Sequence, residues 1–415
     1  MSFNKALLYK NASFLILSST LAQLFNFFTF IYLARVLGPE NYGVLSIAWT
    51  ITSFILIVSN FGLSPVATAE VATSSSNNRN LTHRVISLRL GIFLLCALLF
   101  TIFTYLSSLS QPIEKLIYQY FALIFVSCFL LDWLFQGLQK MIYIGVFRLV
   151  THSIFFALAV TIIKSPEDIY LVPTIQFAGV FAGVAFLLFT NKLLHRSLPK
   201  MEKNTKSYRQ LAQRGGAVVI SLILIQVIYY SDTLLLAAFT SNTEVGLYNA
   251  IYRLILPLIF IGGIVFDAAY PELSRLYKTS GKALFELQDH LLKIMSFLAL
   301  PVGILGMIFA QPAITLILGE SYIPTSSALI ILVWVPPLIY INMVCARAMW
   351  ACELYKEYNY IVATQATANI VLNLIFIPEY GILAAACSTV AAEFLGIFLY
   401  YHIYSLKIVP IRSTK

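Results

Sequence analysis

Residues 86–108 read ISLRLGIFLLCALLFTIFTYLSS, an apolar run whose one charged side chain, Arg89, stands near its start. A helix needs roughly 20 apolar residues to cross about 30 Å of hydrocarbon, because its backbone groups must be bonded within the segment. The run therefore predicts a membrane-crossing helix, and its lack of two-residue alternation speaks against a strand of a closed barrel. Comparable runs lie near 12–34, 44–67, 116–138, 142–163, 170–191, 215–240, 246–268, 291–311, 326–350, 358–377 and 381–405. The fold class expected is an all-α integral membrane protein with about twelve transmembrane helices. Composition agrees, at 60% hydrophobic and 11% charged residues with mean hydropathy +0.84, far from a soluble domain. The first run lacks a small-residue cleavage site and is read as a retained helix.

Lysines and arginines test the topology, since cationic loops stay cytoplasmic. With the N-terminus inside, the outer side holds Arg35, Lys115 and Lys164, and Arg253 lies within a helix, so 23 of the 27 cations fall at the cytoplasmic side. That alternation requires an even number of crossings and puts both termini in the cytoplasm. The net charge of +9 follows from the same bias and from anionic headgroups, and calls for no nucleic-acid partner. Cys96, Cys128, Cys345, Cys352 and Cys387 are odd in number and lack metal-ligand spacing, so they read as small apolar residues and no metal is expected.

The longest cytoplasmic connection, 192–214, is cationic and divides the chain into an N-terminal six-helix bundle, 1–191, and a C-terminal one, 215–415. Sliding the halves by 203 residues aligns Gln23 with Gln226, Leu33-Ala34 with Leu236-Ala237, and Gly43 with Gly246 without a gap. Six helices separate the copies, so both point the same way. Parallel repeats of this kind predict two parallel six-helix bundles facing a central cavity.

Four further segments carry a resemblance. They are 34–43 (ARVLGPENYG), 135–140 (FQGLQK), 270–276 (YPELSRL), and Asn369 to Asn373 leading to 377–381 (IPEYG). With twelve spans they resemble the polysaccharide-export branch of the multidrug/oligosaccharidyl-lipid/polysaccharide flippase superfamily, and in particular the Wzx-type O-antigen flippases. The resemblance implies translocation of undecaprenyl-diphosphate-linked repeat units from the cytoplasmic to the periplasmic leaflet of a bacterial inner membrane. It also implies membrane lipids, a polysaccharide polymerase and chain-length machinery as partners, and no cofactor. Two helices fewer than the lipid II flippase relatives, and the polysaccharide-type turn, speak against that branch and against a multidrug exporter.

Charged side chains in hydrocarbon cost about 2.5–3.5 kcal/mol on insertion scales, so they face a cavity or one another. Asp232 and Arg253 flank the outer turn near Thr243, each about 15 Å from it along its helix. Asp132 and Arg148 flank Lys140 in the same way, about 12 Å deep. Both pairs read either as ion pairs fixing helix register or as arginines lining a path for a diphosphate or acidic sugar. Arg253 shares a helix face with Asn249, and an arginine fork suits phosphate. Arg35 fits an outer-mouth contact or a snorkelling interfacial arginine. Gln23, Asn26, Gln226 and Tyr230, on the first helix of each half, suit sugar hydroxyls or interhelical bridges. Glu393 and His152 can titrate within the membrane and are the candidates for ion coupling, His152 being equally readable as a packing residue. Pro257, Pro301, Pro336 and Pro337 predict kinks or broken turns.

A membrane polymerase, ligase or glycosyltransferase is the competing class. It needs catalytic groups on an outer loop, yet the longest outer connection, 312–325, holds one acid, Glu320, and neither His nor Arg. Paired carboxylates suited to glycosyl transfer and a phosphate-binding G-x-x-x-x-G-K-[ST] loop are absent from the sequence, so a gradient or product removal is the expected energy source.

Overall fold

The computed structural model describes residues 5–73, 78–106, 109–195 and 205–407. These are helical nearly throughout, and nine helical stretches among them are long and apolar enough to cross a membrane. Outward-facing Leu94, Leu98 and Phe103, and Phe297 and Ile308, are exposed large apolar side chains of the kind lipid covers. The chain forms two compact units, Met1–Tyr230 and Ser231–Lys415. Their boundary falls inside α8 (Thr205–Phe239). Of the cationic stretch 192–214, the first residues end α7 (Val172–His195), the last begin α8, and 196–204 lie outside the described residues.

In the first unit, α1 (Lys5–Asn60) has 56 residues and a non-helical Gly38 at φ 73°. At 1.5 Å per residue a straight helix of that length would run about 84 Å, so α1 is two helices meeting at Gly38-Pro39. Glycine supplies the positive φ, and proline starts the next helix where an N–H would be unpaired anyway. The Tyr32 hydroxyl donates to the Ile163 carbonyl at 2.7 Å and the Asn41 amide to that of Pro166 at 3.1 Å. Both flanks of the bend are thereby tied to the connection between α6 (Met141–Ile162) and α7.

Two more breaks sit deeper in this unit. Phe61 and Gly62, both at positive φ, separate α1 from α2 (Leu63–Thr73). Residues 128–131 separate α4 (Gln111–Ser127) from α5 (Asp132–Gly137). A break in the helical ladder leaves carbonyls and amides needing partners. Arg89 of α3 (Asn78–Leu106), fully buried, reaches both breaks: its Nη2 donates to the Ser64 hydroxyl beside the first at 2.7 Å and its Nη1 to the Leu130 carbonyl of the second at 3.0 Å. The charge census placed Arg89 among cations at the cytoplasmic side; the structure uses it as an internal strut. At Gly62 a Cβ would stand 2.6 Å from the Gly215 carbonyl of α8, so glycine is required there by crowding as well as by its φ of 62°. Leu63, Trp133, Phe135 and Leu187 form the apolar core around the breaks.

The second unit holds the end of α8, α9 (Asn242–Thr279), α10 (Gly281–Ala313), α11 (Ser326–Leu332), α12 (Val335–Ala351) and α13 (Tyr355–Lys407). Ser241 caps α9 by accepting the Glu244 N–H at 3.3 Å. Pro301 lies inside α10, and Pro336 and Pro337 open α12 directly after a break at 333–334 that parts it from α11, the broken turn these prolines predict. α13 has 53 residues broken at Gly381, φ 52°. Its halves fold back on each other: Gln365 Nε2 donates to the Ala392 carbonyl at 3.1 Å, and Lys407 pairs with Glu357 at the far ends. A Cβ at Gly381 would meet the Glu244 carboxylate at 2.3 Å. Leu273, Met295, Tyr340, Met349 and Tyr400 are among the side chains that fill this unit's core.

Removing the Arg89 strut strips the Leu130 carbonyl of a charged donor and leaves Asp132 facing no arginine. Breaking a buried charge arrangement from one side costs about 3–5 kcal/mol. Arg89→Met is expected to lower the thermal midpoint of the detergent-solubilised protein sharply, and adding Asp132→Asn to restore part of it. A single variant as stable as the parent would show that the breaks stand without the guanidinium.

Candidate functional site

The polar side chains of the second unit gather around Asp232, 9% exposed near the end of α8. Its Oδ1 accepts from Asn373 Nδ2 at 2.6 Å, and its Oδ2 from the Tyr248 hydroxyl at 2.6 Å and from Thr389 Oγ1 at 2.9 Å. Asn373 also donates to Asn369 Oδ1 at 3.1 Å, which receives Ser231 Oγ at 3.2 Å. α8, α9 and both halves of α13 thus converge on one carboxylate. The helical spacing explains the convergence: Asn369 and Asn373 are one turn apart, and the fold-back at Gly381 brings Thr389 level with Asn373. The level partner expected for Asp232 was Arg253; the donors on its oxygens are neutral groups instead. Arg253 is half-buried on α9, one turn beyond Asn249, and Asn249 Oδ1 accepts from Thr233 of α8 at 3.1 Å.

Glu393 lies one turn past Thr389. Its Oε2 accepts from Asn342 Nδ2 of α12 at 2.7 Å, the same amide donating to its backbone carbonyl at 2.9 Å. Gln365 also bonds its carboxylate. Gly396 leaves the room for this, since a Cβ there would lie 2.2 Å from Gln365 Nε2.

In the first unit, Arg148 of α6 is exposed and donates from Nη1 to Ser19 Oγ of α1 at 2.8 Å. Asp132 sits against Arg89 rather than Arg148, because it opens α5 beside the α4 break that Arg89 spans. His152 is half-buried one turn after Arg148, with Nδ1 unbonded. Gln226 Nε2 donates to Ser53 Oγ at 2.6 Å, a bridge between α8 and α1. Its repeat counterpart Gln23 is exposed, Asn26 and Tyr230 are half-buried, and Arg35 is exposed near the outer bend.

Among the described residues no three His, Cys, Asp or Glu side chains cluster as metal ligands. The oxygens around Asp232 and Glu393 suit a proton or a small hard cation, and no arrangement of nucleophile, base and orienting group is among the contacts.

A model of the family described as "Polysaccharide biosynthesis protein" matches residues 8–277, about two thirds of the chain. The chain belongs to that family. A model of the lipid II flippase family matches residues 146–412, so kinship to that branch is greater than the helix count suggested. The chain is 22% identical to a putative O-antigen transporter of Escherichia coli (strain K12), over 100% of this chain and 99% of the relative. In fold it is similar to a lipid II flippase in an inward closed conformation, with TM-score 0.76, 15% identity, and 96% and 89% of the two chains covered. It is also similar to an inward-facing multidrug transporter of the same superfamily, with TM-score 0.70, 13% identity, and 95% and 96% covered. The protein is accordingly an all-α, multi-pass, two-domain helical bundle of the flippase superfamily, a transporter and not an enzyme.

Tyr248, Thr389, Asn342 and Gln365 escaped the sequence reading because polar neutral residues are frequent in spans. The signal that would have found them is the ladder Gln365, Asn369, Asn373 at four-residue intervals beside Thr389 and Glu393 at the same interval. Asp232→Leu strands three donors, at about 1–3 kcal/mol for each buried group left unpaired. Asp232→Asn keeps an acceptor. The leucine variant is therefore expected to melt well below the asparagine variant in detergent, and equal midpoints would show that the cluster is not held through residue 232.

Proposed function

We propose that the protein flips undecaprenyl-diphosphate-linked O-antigen or related polysaccharide repeat units from the cytoplasmic to the periplasmic leaflet of a bacterial inner membrane by alternating access. The observation that carries this reading is full-length kinship with a putative O-antigen transporter in a chain whose membrane-depth polar groups have no catalytic arrangement. Twelve crossings, in two bundles of six with both termini cytoplasmic, fit the cation bias and the two bent helices α1 and α13.

Arg253 and Arg148 are the residues for the anionic linkage. An exposed arginine such as Arg148 at membrane depth is stable where it meets water or an anion rather than acyl chains. Its bond to Ser19 orients the fork. Asn249, Gln23, Asn26, Gln226 and Tyr230 supply hydrogen bonds for sugar hydroxyls, and Arg35 a cation near the outer mouth. Asp232 and Glu393, with His152 in the other unit, are the groups able to bind and release a coupling ion. A polymerase and chain-length machinery would receive the product.

In a strain lacking the native gene, Arg253→Ala is expected to abolish surface polysaccharide and Arg253→Lys to leave part of it, since lysine keeps the charge but loses the fork. Lipid-linked repeat units should build up in the cytoplasmic leaflet. Normal polysaccharide with the alanine variant removes Arg253 from the path, and export of single unpolymerised units by the deletion strain would replace the flippase by a polymerase.

A further inference from the structure

The turn that starts α9 reads Ser241-Asn242-Thr243-Glu244, the spacing of a capping box, in which the glutamate side chain reaches back to the N-cap N–H. Ser241 Oγ accepts the Glu244 N–H at 3.3 Å, but the glutamate does not return the bond. Ser165 and Asp168, at the same spacing ahead of α7, make both bonds. The Glu244 carboxylate turns instead to the bend of α13, where a Cβ on Gly381 would overlap its Oε2. That oxygen is buried and has no hydrogen-bond partner among the described residues. An acid that gives up its cap to stand unpaired on a bend is held there for another purpose.

The first unit shows the purpose in a simpler form. The 203-residue register that aligns Gly43 with Gly246 also sets Asn41 against Glu244. Asn41 Nδ2 donates to the Pro166 carbonyl, in the turn between the last two helices of its half, and Gly381 is the corresponding turn of the other half. An amide always carries the hydrogen for such a bond, whereas a carboxyl group carries it only when protonated. A helix that ends leaves its last carbonyls without helical partners, so the bend at Gly381 offers acceptors. Residues 231–252, 294–346 and 357–406 contain neither Lys nor Arg, so this end of the unit has no cation to pair with the acid. The titratable groups carried at this end by the elements packed on α9 are Glu379 and Tyr380 of α13 and Glu320 and Tyr322 of the 3-10 turn Glu320–Thr325. The last turns of α10, the first of α12 and all of α11 carry none. We propose that Glu244 is a proton-operated latch on α13. Protonated, its carboxyl donates to a backbone carbonyl of the bend, as Asn41 does to the α6–α7 connection; ionised, it has no hydrogen to give and lets the bend go. The bond is therefore present at low pH and lost as pH rises, while the Asn41 latch stays closed throughout.

The latch is read by contact quenching in purified full-length protein whose five cysteines are replaced by alanine. Bimane is placed on Thr243→Cys and quenched by Tyr380→Trp, both at exposed positions. The latched population is expected to be about fivefold larger at about pH 4 than at about pH 8, the bias of one hydrogen bond. Glu244→Gln carries its hydrogen at either pH and should stay latched at both. The reciprocal change, Asn41→Asp, read by bimane on Glu40→Cys against Lys164→Trp, should give the first unit a pH response that its parent lacks; this arm decides should Glu244→Gln fail to fold. Equal quenching of the parent at both pH values, an undiminished response in Glu244→Gln, or no response in Asn41→Asp overturns the proposal. The latch's place on the outer face rests on the topology and flippase reading proposed above, but quenching is measured without substrate. Its failure leaves polysaccharide export by the parent untouched, whereas failure of the flippase reading would appear as export independent of the gene with the latch response intact.

Discussion

Hydrocarbon offers a backbone polar group no partner, so the backbone within the membrane must be bonded by the protein itself. Most of this chain meets that condition with uninterrupted helix. The informative places are where it does not. One guanidinium, that of Arg89, reaches the α4–α5 break through the Leu130 carbonyl and the α1–α2 break through the Ser64 hydroxyl. An arginine is suited to this because its donors are spread over a rigid plane and its charge is permanent. The same rule makes Gly38, Gly62 and Gly381 structural necessities, since each holds a positive φ where the chain leaves helix.

Fold class could be read from the sequence because apolar runs of membrane-spanning length have few other uses. Residues 86–106 lie in α3, and the bends at Gly38-Pro39 and Gly381 fall where turn motifs stood in the sequence. Placement on helices was legible too: Asp132, Arg148, Asp232 and Arg253 all lie on them. Partner choice was not. Counting residues from a turn gives level but not azimuth, and the α4–α5 break turns Asp132 toward Arg89. In the same way, Asp232 is satisfied by three neutral donors, of which only Tyr248 lies on a helix that a pairwise count from the outer turn at Thr243 would reach. Two of those donors come from α13, whose fold-back sets the register.

The repeat relation is similarly partial. Gln23 and Gln226 align without a gap, yet Gln226 bridges to Ser53 while Gln23 is exposed. Positions that align in sequence thus meet different neighbours in the folded chain. Sequence correspondence therefore locates candidate pathway residues but does not give them a common task.

The two units differ in the kind of charge they bury. The first buries an arginine against broken helix ends, and arginine does not give up its proton in proteins, so this charge can only hold structure. The second buries carboxylates among amides and hydroxyls, donors that tolerate either a bare carboxylate with a cation or a protonated one. A cycle driven by an ion gradient needs one part whose charge changes and another whose geometry does not. Those requirements conflict within a single cluster, because a group that neutralises loosens the bonds it makes. The fixed charge lies in Met1–Tyr230 and the carboxylates in Ser231–Lys415, so that neutralising a carboxylate would change bonds made to α13 and leave those of Arg89 to Ser64 and Leu130 as they are.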